Sequence, residues 1–419
     1  MKAVDINRII GIEESYQLPD VLLGLLLDDP KPVFRAFMEL GESLEHDWFT
    51  EYFEEEHANK SKMAQDFTPS EVCDLLAHVV GRADSVADVC AGTGGLTIGM
   101  WRHNPTAKYI CYEYSSRAIP LLLFNLAIRN IDGMVCRCDL LTGGEYEYYR
   151  IEPAEEFSSV TRMEEWPQEK VAAVVSNPPY SMKYDPKADR RFPEYEGMLP
   201  PNFADFVFVA FALSVMKDGG KAGFILPHGV LFRGNKEAIF RQMLIRKGIL
   251  RSVIGLPDKL FINTDIPTCV LQLQTGRSRE GILFIDAKDE AEKCGSKNIM
   301  RSEHLDRISR AFDRRAEEER FAHVASPEEV EANDFNCNIP RYVDTFVPEP
   351  LPDIGQLIED LFEINKSIRR TEIELAKQLD QLVADNAEDE KAVKKYVAYL
   401  RSEGVSKHDQ LQFNLSAID

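Results

Sequence analysis

The sequence predicts an α/β fold built on a Rossmann-like, doubly wound sheet, and three observations lead there. Short apolar runs alternate with helix-like segments between about residues 62 and 275, the rhythm of βα units. Ser85 to Cys90 reads as a buried strand that runs into Ala91-Gly92-Thr93-Gly94-Gly95 and then into a helix-like Leu96 to Trp101. Strand, glycine-rich turn and helix make the first half of a nucleotide-binding βαβ unit. Each later strand candidate then ends on a polar group: Glu113 after Tyr109 to Tyr112, Asp139 after Met134 to Cys138, and Asn177 after Val171 to Val175.

These elements divide the labour of a ligand site at the carboxyl edge of the sheet, where open α/β sheets bind their ligands. The glycines permit positive φ and let a ligand approach the backbone closely. No Gly-Lys-Ser/Thr follows the Ala91–Gly95 turn, which disfavours a phosphate loop. A carboxylate at the end of the second strand, Glu113, is placed to accept hydrogen bonds from the two ribose hydroxyls of an adenosine ligand.

Asn177-Pro178-Pro179-Tyr180 leaves the strand as a rigid, exposed turn. Two prolines fix φ and offer carbonyls without N–H groups, and the Asn177 side-chain oxygen adds a second acceptor. Such acceptors suit an exocyclic amine held by its hydrogens, its lone pair aimed at an electrophilic methyl group, with Tyr180 stacked on the base that carries it.

Bulk properties set limits. With 419 residues and 44% hydrophobic content, the chain has room for one large α/β domain with smaller flanking modules. Leu22 to Leu27 and Phe206 to Val215 are too short to span a bilayer, and no basic-then-apolar leader opens the sequence, so no membrane partner is expected. The eight cysteines are scattered, several within strand candidates, which suggests reduced thiols and a cytoplasmic protein. Cys136 and Cys138 form only a Cys-x-Cys, and no metal site is expected. The net charge of -21 opposes solitary DNA binding, which depends on Lys and Arg at phosphates. Two basic groups offset it locally: Lys183, Lys187, Arg190 and Arg191, and Arg233, Lys236, Arg241, Arg246, Lys247 and Arg251. The second group reads equally as the solvated face of an amphipathic helix.

Three regions are expected: a helical N-terminal domain over 1–60, the α/β domain over 61–345, and a helical tail over 346–419. Thr142 to Lys170 is an acidic, aromatic insertion, and Ser181 to Asn202 a long Pro- and charge-rich loop read as a lid. In the tail, Ile354, Leu357, Leu361, Ile364, Ile368, Leu375 and Leu382 keep 3-4 spacing, a coiled-coil-like seam suited to partner helices.

Taken together, the motifs resemble amino-methyltransferases that use S-adenosyl-L-methionine, and more narrowly the modification (M) subunits of type I restriction–modification systems. The likeness covers roughly residues 60 to 345. It rests on Gln65-Asp66-Phe67-Thr68-Pro69, on Asp88 to Leu96 and on the Asn177–Tyr180 turn, together with Gly219 to Phe232 and Ile254-Gly255-Leu256-Pro257. Phe335 to Asp344 is the segment most particular to M subunits.

The resemblance implies a methyltransferase sheet with a helical N-terminal domain and a coiled-coil-like C-terminal helix. It implies S-adenosylmethionine bound by Gln65, Phe67, Thr68, Pro69, Asp88, Ala91, Gly92, Thr93, Gly94, Gly95, Glu113, Asp139 and Leu140, with Asn177, Pro178, Pro179 and Tyr180 catalytic. The implied reaction is methylation of adenine N6, in preference to cytosine N4, on a base flipped out of double-stranded DNA. A separate specificity (S) subunit would choose the sequence, and a second M subunit and a restriction subunit are further implied partners. Two alternatives compete with this reading: a protein-glutamine or RNA amino-methyltransferase, and a non-catalytic subunit that retains the fold.

Overall fold

The computed structural model describes residues 3–41, 43–49, 52, 68–185, 191–195, 197–261, 266–276, 280–346 and 353–402. The chain divides into two compact units, Met1–Thr345 and Phe346–Asp419.

The first unit is organised by one large mixed sheet. Its central strands are β1 (Ser85–Val89), β2 (Lys108–Glu113) and β3 (Asp132–Asp139). An edge hairpin follows, β4 (Gly144–Glu152) and β5 (Ser159–Met163), before the chain returns to β6 (Val171–Ser176) and β7 (Met216–Pro227). Then come β8 (Leu250–Gly255), β9 (Thr268–Gln274) and β10 (Ile282–Asp286), a small separate hairpin β11 (Glu292–Cys294) and β12 (Lys297–Ile299), and β13 (Ala322–Ala325). Among the described residues the large sheet runs β13-β10-β8-β9-β7-β6-β1-β2-β3-β4-β5. β7, β6, β1, β2 and β3 are mutually parallel, whereas β9 lies antiparallel to both β7 and β8.

From β1 the chain winds outward through β2 and β3, then crosses back to place β6 on the other side of β1. The gap between β1 and β6 is therefore a topological switch point, where the connections leave in opposite directions and open a crevice. The insertion between Thr142 and Lys170 supplies β4 and β5, which extend the sheet antiparallel to β3.

Alternation along the strands builds a core on each face. Val86, Tyr109 and Cys111 face one layer with the helices Ser70–Val80 and Ala118–Ile128. Ala87, Ile110 and Tyr112 face the other, with the helices Asp205–Val215 and Asn235–Arg246. The helices at Leu18–Leu27 and Lys31–Glu39 join the first layer. There Phe34, Phe37, Trp48 and Phe49 ring Phe124 at centroid distances of 5.0, 4.7, 6.5 and 5.2 Å. Aromatic pairs at this spacing add to the stabilisation from burial.

The second unit contains the helices Ile354–Leu379 and Ala387–Ser402. Ala376, Val397 and Leu400 make its small core, backed by Leu379 and Val393. Arg369 donates to the carbonyl oxygens of Leu400 at 2.6 Å and Arg401 at 2.8 Å, tying the helices together. No described helix is long and apolar enough to cross a membrane.

Candidate active site

The glycine-rich turn has the backbone geometry its composition demands. Cys90, Gly92 and Gly94 have φ of 67°, 57° and 101°. The Cys90 and Ala91 N–H groups donate to the Tyr112 carbonyl at 2.9 and 3.0 Å, which binds the turn to the end of β2. At Gly94 a Cβ would come within 2.9 Å of Leu122 Cδ1, so close packing on Ala118–Ile128 reinforces the requirement for glycine. Among the described residues, Gly92 and Gly95 have no atom within 4 Å of an added Cβ. That open space is a cradle that any larger residue would fill.

Glu113 is buried, and its carboxylate organises this edge. Oε2 accepts from the Gly92 N–H and Oε1 from the Ser115 N–H, both at 2.7 Å. Asp139 plays a similar local part, with Oδ1 accepting from the N–H groups of Leu141 at 2.9 Å and Thr142 at 3.3 Å. Leu140 is buried beside it, and its carbonyl accepts from Arg191 at 2.6 Å.

Asp88 sits beneath the turn, inside β1. Thr97 Oγ1 donates to its Oδ2 at 2.6 Å, while the buried Oδ1 has no hydrogen-bond partner among the described residues. Burial pushes this carboxyl up to about 7, with the Thr97 bond opposing the shift and Glu113 adding to it. Between the ordinary Asp value near 4 and this raised value, the folded protein keeps a proton that the unfolded chain releases. Stability therefore falls as pH rises through that window. The Asp88→Asn variant cannot ionise, so its stability relative to wild type is expected to climb by on the order of 1–3 kcal/mol from pH 5 to pH 8. Urea unfolding at the two pH values checks this.

Asp47, on the segment before the helix Ser70–Val80, was not among the residues the sequence pointed to. It reaches the turn from the N-terminal layer, accepting from Thr93 Oγ1 on one oxygen and from Asn125 Nδ2 at 2.7 Å on the other. Asn125 also donates to the Thr93 carbonyl at 2.8 Å. Arg129 fastens the same segment through the carbonyls of Leu44 (2.7 Å) and His46 (2.6 Å), with its guanidinium 5.5 Å from the Trp48 ring. Asp47 lies in a stretch without periodicity, more than forty residues before the turn it serves. Only the adjacent Trp48-Phe49 pair hinted that this stretch is buried.

At the end of β6, Ser176 Oγ donates to the Val89 carbonyl at 2.5 Å and fastens β6 to β1 just before the Asn177–Tyr180 turn. Pro178 is buried, whereas Asn177, Pro179 and Tyr180 are half-buried. Asn177 Nδ2 donates to Thr68 Oγ1 at 2.9 Å, and its Oδ1 accepts from the Tyr180 hydroxyl at 2.8 Å. Thr68 and Pro69 lead into the helix Ser70–Val80 and border a cavity of about 360 Å³ that Asp47 and Gly95 also line. Thr68 thus touches both the Asn177 turn and the space beside the glycine turn. Gln65 and Phe67 lie outside the described residues, as do Lys187 and Arg190.

The loop after Tyr180 is anchored in the core through Tyr184, Phe192, Tyr195 and Leu199. Its described parts are thus a packed connection beside the Asn177–Tyr180 turn.

The second basic group also differs from a DNA-facing cluster. Arg233 pairs with Asp205 and Glu237, Arg246 with Glu331, and Arg251 with Glu280. Arg241 is buried and donates to the carbonyls of Phe335, Val230 and Arg233. Arg241 makes these bonds because a buried guanidinium must find acceptors, whereas Arg246 and Glu331 form an exposed pair. Among the described residues there is no group of three or more His, Cys, Asp or Glu able to hold a metal ion.

The site thus combines an open glycine turn, a fixed carboxylate at the neighbouring strand end and an amide-bearing proline turn across the switch point. Residues 45–349 match the family described as N-6 DNA Methylase. The chain is similar to the type I restriction enzyme MpnII methylase subunit of Mycoplasma pneumoniae, with 27% identity over 72% of this chain and 58% of that protein. It is also 27% identical to the MjaVIII methylase subunit of Methanocaldococcus jannaschii, over 78% of this chain and 57% of that one. It therefore spans less than two thirds of the length of these relatives. Among solved structures, a type I restriction-modification system methyltransferase subunit from Streptococcus thermophilus aligns with a TM-score of 0.62 and 30% identity, covering 81% of this chain and 76% of that one. With a family match across most of its length and a fold and sequence relative in agreement, the chain belongs to the N-6 DNA methylase family.

Proposed function

We propose that this chain transfers a methyl group from S-adenosylmethionine to N6 of adenine in double-stranded DNA, as the modification subunit of a type I restriction–modification system. The observation that carries the reading is the placement of Asn177 and the open glycine turn at adjacent strand ends, with Thr68 bonded to Asn177 and lining the cavity that Gly95 also borders. When bound, the cofactor supplies an electrophilic sulfonium methyl group.

The open face of Gly92 and Gly95 leaves room for the cofactor's methionine end beside Thr68 and Pro69. Glu113, fixed at the end of β2, would take the ribose hydroxyls, and Asp139 and Leu140 would border the adenine ring. Asp88 acts from below by holding the helix Gly95–His103 to β1 through Thr97. A base flipped from the duplex stacks on Tyr180, and its amine replaces the Tyr180 hydroxyl on Asn177 Oδ1 while donating its second hydrogen to the Pro178 carbonyl. The amine nitrogen forms the new N–C bond as the C–S bond breaks, and the nitrogen then loses one proton to solvent. Catalysis comes from alignment and preorganised acceptors, with no covalent enzyme intermediate.

The acidic balance of the chain favours a partner that carries most of the phosphate contacts. A separate specificity subunit fits that need, with a second M subunit and a restriction subunit as further members. The tail offers the docking surface. Leu361, Ile364 and Ile368 are 57%, 56% and 43% exposed along the helix Ile354–Leu379, and the hairpin core uses other residues. Changing Leu361 and Ile364 to Glu is expected to leave the chain's own unfolding within about 0.5 kcal/mol of wild type. The same change should abolish co-purification with the specificity subunit encoded beside it, which a pull-down measures.

The reading is tested by incubating the protein, alone and with that subunit, with labelled S-adenosylmethionine and duplex DNA, RNA or a glutamine-bearing protein. Label in DNA is expected. Label confined to RNA or protein would select the alternative.

A further inference from the structure

We propose that Asp205, with Arg233 as its counter-ion, is a positioning residue that sets the exit of the Asn177–Tyr180 turn. The inference rests on the function proposed above and deepens it. Ser181 follows Tyr180 directly and is held at φ 57°, a left-handed conformation that a non-glycine residue adopts at a cost of roughly 1–2 kcal/mol. Its N–H donates to Asp205 Oδ1 at 3.0 Å. Asp205 opens the helix Asp205–Val215, where the helix dipole favours a negative charge, and its side chain is fully buried.

The other carboxylate oxygen is held as firmly. Arg233 donates to Asp205 Oδ2 at 3.1 Å and to Glu237 Oε1 at 3.4 Å. The guanidinium lies 4.1 Å from the Phe203 ring centroid on one side. On another it passes so close to Gly229 that an added Cβ would sit 2.4 Å from the Arg233 Cζ. Phe203, Gly229 and two carboxylates thus leave the guanidinium one place to go.

Burial raises the Asp205 carboxyl above the ordinary range, and the Ser181 N–H and Arg233 oppose that rise. Arg233 and its glycine belong to the Gly219–Phe232 neighbourhood that the sequence marked out, yet basic character there suggested DNA contact. The geometry gives it another task, because a fixed Ser181 fixes where Tyr180 and the Pro178 carbonyl point. Displacing reacting groups by about 1 Å is enough to cost on the order of a hundredfold in rate.

The experiment compares wild type with Asp205→Ala, Asp205→Asn and Arg233→Lys in the full chain together with its specificity subunit. Four quantities are read: kcat and KM for DNA methylation, affinity for S-adenosylhomocysteine by calorimetry, and hydrogen exchange of peptides covering residues 176–185. Asp205→Ala is expected to lower kcat by roughly 10- to 100-fold. Affinity for S-adenosylhomocysteine should stay within about twofold, because the glycine turn is untouched, and exchange should quicken only in that segment. Asp205→Asn, which keeps an acceptor for Ser181, should recover part of the rate. Should Asp205→Ala fail to fold, Asp205→Asn and Arg233→Lys show the same pattern in milder form. An unchanged kcat with unchanged exchange overturns the proposal. So does exchange that quickens throughout Met1–Thr345 with loss of S-adenosylhomocysteine binding, since that is general unfolding. If wild type methylates no DNA, the functional reading falls, while the exchange data still decide whether Asp205 holds the turn.

Discussion

Asn177→Ala is expected to lower the rate of methyl transfer by roughly a thousandfold while leaving affinity for S-adenosylhomocysteine within a few fold of wild type. Removing one preorganised acceptor costs about 10²–10³ in rate at comparable sites. Here the loss should reach the upper end, because the same side chain also holds Thr68 and receives the Tyr180 hydroxyl. Without it, the Tyr180 hydroxyl loses its bond to Asn177 Oδ1, and the target amine keeps only the Pro178 carbonyl. The glycine turn and Glu113 make their own contacts on the β1 and β2 side, so the cofactor half stays formed. Single-turnover methylation paired with calorimetry separates the two halves. Normal turnover in the variant would remove Asn177 from the mechanism.

The second large effect is expected from Gly92→Val. The backbone there has φ 57°, where a β-branched residue is strained, and its side chain would enter the open cradle. Affinity for S-adenosylhomocysteine should fall by about a hundredfold or more, equivalent to at least about 3 kcal/mol. Nothing within 4 Å clashes with the new Cβ, so the protein should still fold, with only the strain lowering its Tm. Calorimetry alongside thermal unfolding distinguishes loss of the site from loss of the fold. An unchanged affinity would place the cofactor elsewhere.

The centre of the fold was legible because its signals are local. The strand at Ser85–Val89, its positive-φ glycine turn and the helix after it follow one another in the chain. Glu113, Asp139 and Asn177 fall at or just beyond the ends of β2, β3 and β6, as apolar runs closing on a polar residue imply. The edges of the sheet were less legible. An antiparallel β9 between β7 and β8 depends on partners far apart in sequence, and no periodicity records which strand lies beside which.

What the sequence obscured most was charge. Arg241 and Arg233 look like solvated cations in a helix-like stretch, yet one is buried against carbonyls and the other, partly buried, is paired with two carboxylates. Asp205 stands at the head of an apolar run and gives no sign that it catches the Ser181 N–H. Asp47 and Thr93 are brought together by aromatic packing around Phe124, a tertiary effect. In the tail the 3-4 stripe was visible, but the short return helix that packs on Ala376 was not.

The central claim is tested most directly by identifying the methylated nucleoside. Duplex DNA treated with the chain, the proposed specificity subunit and labelled S-adenosylmethionine is digested and resolved by mass, beside the Asn177→Ala control. The account predicts N6-methyladenine with wild type and formation roughly a thousandfold slower with the variant. Label in N4-methylcytosine, or N6-methyladenine formed at the wild-type rate in Asn177→Ala, would contradict it.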